Sequence, residues 1–398
     1  DASVQTDTST GDSASGGPLK RQLPEPSADA DILAFMSDVL RDAWKEHSVT
    51  ASPPATDDQW CRRVYQRLAG REPSSDELNQ FFRSDRADRR GQLVDQLLAS
   101  DEYAHRFADL WCDVLVDTRQ QDEDGDLYDR EELVEYLEDS FRDDKPYDRL
   151  VSELLSATGS GDPDSKDYNG AVNFLLAGAD NHALAGTDRT ARAFLGKQLV
   201  CTRCHSHPTS GWEQGDFWEL NAFFRQMKVR REGEFQAVRL VDQDFYGESG
   251  AARDAEIFYK LSNGRLEVAY PTLGEREISR SGLLSDVNRR RELAELLTGS
   301  VDFRRAVTNR VWSWLMGYGF TQPVDDMGPH NPPSHPQLLD RLATELAAHD
   351  FQPDALVRWI VLSEAFGLSG KQMPESWMDN PETGGRPLFA RCYEEDDN

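Results

Sequence analysis

Over much of the chain, apolar residues recur every three or four positions, the spacing that places them on one stripe of an α-helix. The first such stretch is D-I-L-A-F-M-S-D-V-L-R-D-A-W, from Asp31 to Trp44. A proline-containing break at Ser52 to Ala55 follows. Trp60, Val64, Tyr65 and Leu68 then mark a second helix that stops at Gly70. Ser74 or Ser75 with Glu77 caps a third. The spacing predicts further helices over Arg89–Leu98, Tyr103–Val116, Leu127–Phe141, Pro146–Leu155 and Arg189–Val200. Residues Ser156 to Asp167, rich in Gly, Ser and Asp, read as a loop. The period then changes. Val238–Val241 and Glu256–Tyr270 alternate apolar and polar, and Asn263-Gly264 is a strong hairpin signal. From Leu283 the helical period returns over Arg289–Leu297, Phe303–Met316, Pro336–His349 and Asp354–Phe366. Pro323 to Pro336, P-V-D-D-M-G-P-H-N-P-P-S-H-P, is a proline-stiffened loop between two of these.

This pattern predicts a mainly α protein: a multi-helical domain, a small β-hairpin insertion and a second C-terminal helical domain. The expected boundaries are a disordered tether over 1–30, a helical domain over 31–227, the β-containing insertion over 228–284 and the last helical domain over 285–398. At 398 residues the chain is long enough for two or three domains. Residues 1–30 hold little to bury, which is the composition of a disordered segment.

Composition narrows the partners. The net charge is −28, so phosphate backbones and anionic lipid are repelled, and nucleic acid is not an expected partner. No run approaches the roughly eighteen apolar residues of a membrane span. The chain opens at Asp1 without a basic-then-apolar leader, which fits a mature exported chain and equally a trimmed one.

The chemistry concentrates in Val200 to Trp218, V-C-T-R-C-H-S-H-P-T-S-G-W-E-Q-G-D-F-W. Cys201, Cys204 and His205 form C-x-x-C-H, the attachment signature of a c-type haem. Two thiols with a two-residue gap between them on a helical turn reach the two vinyl groups of one porphyrin. The next residue, His205, supplies the proximal iron ligand. Arg203, His207 and Trp212 are candidates for contacting the same group, His207 as a hydrogen-bond partner to a propionate or to backbone. Lys197, Arg203 and Arg310 are candidate propionate partners or plain surface cations. Trp212, Phe217, Trp218, Phe223 and Phe224 form an aromatic cluster that suits a porphyrin edge and equally an ordinary core. For the distal position the candidates are His335, Met327, Met227, His330 and His182. A zinc site from Cys201, Cys204, His205 and His207 is an alternative, although zinc usually draws its second ligand pair from a separate segment. An unligated thiol pair is another. The remaining cysteines are Cys61, Cys112 and Cys392. Cys61 and Cys112 read either as a disulfide, permitted outside the cytoplasm, or as two buried thiols.

Gln120 to Glu131 resembles a calcium loop in part, with Asp122, Asp124, Asp126 and Glu131 as candidate ligands for Ca²⁺. Gln120 stands where such a loop begins with Asp, and a solvated acidic loop is the alternative.

Several blocks resemble the planctomycete and verrucomicrobial cytochrome family of the domain-of-unknown-function type. They are C-R-R-V-Y-Q-R-L-A-G-R-E-P (61–73), L-V-D-Q-L-L-A-S-D-E-Y (93–103), K-P-Y-D-R-L-V (145–151) and F-L-G-K-Q-L-V-C-T-R-C-H-S-H-P (194–208). A-V-T-N-R-V-W-S-W-L-M-G-Y-G-F (306–320) and P-V-D-D-M-G-P-H-N-P-P-S-H-P-Q-L-L-D (323–340) look like the domain that habitually follows it. The resemblance covers most of 57–370 and implies an exported haem-c protein, periplasmic or at the cell surface. Members commonly continue past the position of L-F-A-R-C-Y (388–393), so this chain reads as a short or truncated one.

Three functions follow as expectations. The first is electron transfer by a protein carrying one covalent haem c, with a redox partner protein and a place in an envelope complex. The second is a haem-dependent redox enzyme of peroxidase or oxidase type, or a redox subunit of a larger complex. The third is a structural protein with zinc at the Cys/His cluster. G-x-S-x-G, H-E-x-x-H, phosphate-binding and dinucleotide-binding signatures are absent, so no catalytic residue is assigned.

Overall fold

A computed structural model describes residues 23–85, 87–116, 127–179, 182–232 and 237–393. About half of the chain is helical, in fourteen α-helices among the described residues. The apolar stripes read from the sequence are the buried faces. In the helix Asp29–Glu46, Ile32, Met36, Leu40 and Trp44 are buried. In Asp101–Leu115 the buried set includes Phe107, Trp111 and Leu115. Ser74 caps Ser75–Arg83 by accepting from the Glu77 amide, while the Glu77 carboxylate accepts from the Ser74 amide. Thr56 and Gln59 cap Asp57–Leu68 in the same way.

The expectation of a multi-helical haem-c domain needs correction. The mainly helical character holds coarsely, but no haem-c fold is shown. One continuous hydrophobic core runs from Ile32 to Tyr393 and takes side chains from both helical parts. Trp60, Trp312 and Trp359 are among its fully buried side chains. Burying each contributes on the order of 4–6 kcal/mol of transfer free energy. Among the described residues the β structure is three small antiparallel sheets rather than one hairpin. Met227–Glu232 pairs with Ala237–Asp242, whose other edge takes Gly159–Ser160 from the segment read as loop. Ile257–Lys260 pairs with Leu266–Ala269 across the turn that holds Asn263-Gly264, where Gly264 has a φ of 88°. Thr272–Leu273 pairs with Arg276–Glu277.

Two buried arginines tie these parts together. Arg289 and Arg290 open the helix Arg289–Thr298 and are fully buried. Arg290 donates to the carbonyls of Leu155 and Ala157 and pairs with Asp242 at 2.7 Å. Arg289 donates to four carbonyls, those of Ala222, Ala255, Arg280 and Ser281. Both side chains donate to backbone acceptors drawn from several segments of the chain.

Candidate functional site

The helix predicted over Arg189–Val200 does not run unbroken into the C-x-x-C-H segment. An α-helix over Leu184–Thr190 loosens into a π turn over Ala191–Leu195 and stops at Gly196, whose φ is 62°. Glycine is required there twice over. The left-handed conformation is costly for other residues, and a Cβ would lie 2.5 Å from Met327 Cε. The Gly196 carbonyl accepts from the Met327 amide at 2.7 Å, which presses the Pro323–Pro336 loop onto this segment. Asp325 in that loop accepts from Gln198 Nε2 and Arg192 Nε, both at 2.9 Å. Burial pushes the Asp325 carboxyl up, but Gln198 and Arg192 outweigh it and hold the group below the usual carboxylate range.

After Gly196 the chain forms a 3₁₀ turn, Val200–Arg203, with Cys204 as its C-cap. Three residues per turn eclipse positions i and i+3, so Cys201 and Cys204 share one side of the turn. Both are exposed thiols. Thr202, between them, is fully buried and anchors the turn through its hydroxyl to the Leu199 carbonyl at 2.6 Å. Arg203 is exposed, and its carbonyl accepts from Gln214 Nε2 and Trp218 Nε1, both at 3.2 Å. The same Gln214 amide donates to the Lys260 carbonyl at 3.0 Å, bridging the turn to the hairpin.

The two motif histidines differ in their tautomers. His205 Nδ1 lies 2.9 Å from the Ser206 carbonyl, which can only accept. In the neutral ring the proton therefore sits on Nδ1, which leaves the lone pair on Nε2. Metal-bound imidazoles are oriented in this manner by backbone carbonyls. His207 Nδ1 instead accepts from the Ser210 and Thr209 amides, at 3.0 and 3.3 Å. Its neutral form carries the proton on Nε2, which makes it a donor and not a ligand. Neither assignment was legible in the sequence, because each depends on how the chain folds back after the motif.

Around this turn, Lys197 Nζ lies 4.2 Å from the Trp212 ring centroid and pairs with Asp302 at 2.6 Å. Trp212 Nε1 is buried and has no hydrogen-bond partner. Trp218 stacks on Tyr259 at 5.9 Å, while Phe217, Phe223 and Phe224 are buried in the core. Arg310 donates to the Arg192 carbonyl at 3.4 Å.

The distal candidates separate into three places. Met327 and His330 lie in the loop pressed against the motif; the His330 ring is 6.0 Å from that of His207. His330 Nε2 is 3.0 Å from Asp326 Oδ1, off the line of a hydrogen bond. His335 is buried between Phe320 and Phe389, and burial pushes its pKa down to about 4. His182 and Met227 line a cavity that includes none of residues 200–212. Among the described residues no three His, Cys, Asp or Glu side chains gather as a metal-binding group, so Cys201, Cys204, His205 and His207 do not form a four-ligand set. Of the candidate calcium ligands, Asp122, Asp124 and Asp126 lie outside the described residues. Glu131 sits in the first turn of Arg130–Arg142, its amide donating to Asp129. Cys61 and Cys112 are free and buried, and burial raises their thiols to about 12 and about 11.

No curated protein and no solved structure matches this chain. Residues 36–229 match the family model PSCyt2, described as a protein of unknown function (DUF1549). Residues 289–389 match PSD1, likewise described as a protein of unknown function (DUF1553). The Arg290 contacts to Leu155 and Ala157 therefore join one matched segment to the other. The two matches, in chain order, are to the planctomycete-type pair of domains of unknown function, DUF1549 followed by DUF1553.

Proposed function

We propose that Cys201 and Cys204 anchor one covalent haem, that His205 is its proximal ligand, and that the exported chain transfers electrons at the cell envelope. The observation that carries this reading is the His205 ring. Its Nδ1–H is committed to the Ser206 carbonyl, leaving Nε2 as an exposed base beside two exposed thiols on one side of a turn. When bound, a haem iron supplies one-electron redox chemistry at a potential set by its axial ligands and surroundings. The chain's own residues would hold and tune it. His207 Nε2–H and exposed Arg203 suit carboxylate acceptors, and Lys197 over Trp212 adds a cation on an aromatic platform. The loop carrying Met327 and His330 supplies the candidates nearest in the fold for a sixth ligand. A carrier of this kind acts with a redox partner protein.

The test is production in a host that matures c-type haem. Reduced-minus-oxidised spectra should show thioether-haem bands, and intact mass should rise by one haem. Cys201→Ala with Cys204→Ala should lose both signals, and His205→Ala should shift the spectrum. Unmodified mass and no Soret band in correctly matured wild-type protein would end the proposal. A spectral shift with carbon monoxide would move the assignment from carrier to haem enzyme.

A further inference from the structure

A second concavity lies away from the C-x-x-C-H turn and does not depend on the haem proposal. Its volume is 350 Å³, within the range of small-ligand sites. One wall is apolar, made by Phe224, Met227, Val229 and Phe245. The polar residues among its lining are Arg225, His182, Lys228 and Glu248. Arg225 is buried; its Nη1 donates to His182 Nδ1, and its Nη2 is 3.7 Å from Glu248 Oε1.

His182 is brought there at a conformational cost. His182 and Ala183 both have positive φ, 86° and 55°, an arrangement that non-glycine residues avoid. Asn221, fully buried, holds this kink by donating to the His182 carbonyl at 2.9 Å and the Ala183 carbonyl at 3.4 Å. Behind the cavity wall, the Arg289 guanidinium lies 5.5 Å from the Phe245 ring centroid. Burial and the neighbouring Arg225 charge lower Arg289 to about 10. Two buried guanidiniums close enough to repel each other are unusual in a chain of net charge −28. Among the described residues, the charged side chains lining the concavity are Arg225, Lys228 and Glu248, two cations to one acid.

We propose that this cavity binds a small aryl carboxylate, with the ring against Phe224 and Phe245 and the carboxylate toward Arg225 and Lys228. Apolar walls with a few convergent cations are the arrangement that fixes such an amphipathic anion, since burial favours the ring and the guanidinium favours the carboxylate.

The probe is 4-fluorobenzoate added to the full chain, followed by fluorine NMR, with neutral 4-fluorobenzamide as comparison. Saturable broadening is expected for the acid and not for the amide. Lys228 is exposed, so Lys228→Glu should leave the fold intact and weaken binding roughly two- to fivefold. Val229→Trp, from the cavity wall, should abolish binding while circular dichroism stays native; if that variant does not fold, Lys228→Glu alone decides. No saturable binding of the acid, equal binding of the amide, or undiminished binding in folded Lys228→Glu would each overturn the proposal.

Discussion

Replacing Arg290 by Met tests whether the two matched segments fold as one unit. Arg290 is fully buried and Asp242 nearly so, with side-chain exposures of 0% and 10%. The guanidinium makes two contacts to Asp242 Oδ1, from Nε at 2.9 Å and Nη2 at 2.7 Å. It also donates to the Leu155 and Ala157 carbonyls at 3.0 and 2.8 Å. Methionine fills most of the volume but satisfies none of these acceptors. It leaves two buried carbonyls unmet and Asp242 with Asn288 Nδ2, at 2.8 Å, as its remaining side-chain donor. Breaking a buried pair from one side costs about 3–5 kcal/mol, because the surviving charge stays buried. An unfolding entropy of about 2.1 cal/mol/K per residue scales to roughly 0.8 kcal/mol/K here, so Tm should fall by roughly 4–6 °C. Asp242→Asn should cost a similar amount. The double variant should cost less than the sum by about 1–3 kcal/mol, since removing both charges leaves neither stranded. Urea unfolding at pH 7, followed by tryptophan fluorescence and circular dichroism, measures all three. A loss under about 1 kcal/mol for Arg290→Met, or strict additivity in the double variant, would refute the reasoning.

Three further outcomes are expected. In haem-free protein a thiol reagent at pH 8 should label exposed Cys201 and Cys204 quickly; the buried Cys61, Cys112 and Cys392 should react after denaturation, and a fast third thiol would contradict the burial. Asp354 is raised to about 6 by burial and by Asp144, against the acceptance of a 2.8 Å hydrogen bond from Tyr103. The folded state thus binds the proton more tightly, so this group's contribution falls as pH rises from about 4 to 6. Asp354→Asn should gain on the order of 2–3 kcal/mol relative to wild type between pH 4 and pH 7.5 in urea unfolding, and a pH-independent difference would refute it. His335, lowered to about 4 by burial with a smaller push from His47, works in the opposite sense. Its neutral form stabilises the fold above the unfolded value near 6.5, and that contribution is lost as pH falls toward 4. His335→Phe should therefore lose less stability than wild type between pH 6.5 and 4; equal acid sensitivity would show that another group controls it.

The sequence by itself determined what depends on near neighbours. Apolar spacing located most helices, because a 3.6-residue period shows which face each must bury. Ser74 with Glu77 marked a cap, and Asn263-Gly264 marked a hairpin, since both are satisfied within a few residues. The C-x-x-C spacing already implied that Cys201 and Cys204 share a face. Tertiary structure decided the rest. Gly159–Ser160 became a strand because the Ala237–Asp242 edge offers it backbone partners from far along the chain. Met327 packs where the helix before the motif ends at Gly196, and nothing local announces that approach. Two helical parts share one core, and buried Arg289 and Arg290 supply donors to carbonyls from distant segments. His182 and Met227 went to a cavity of their own, and His205 received its tautomer from a carbonyl that only the folded turn presents. Periodicity reports which side of an element is buried; the partner that buries it, and the atom that meets each polar group, are set only when distant segments meet.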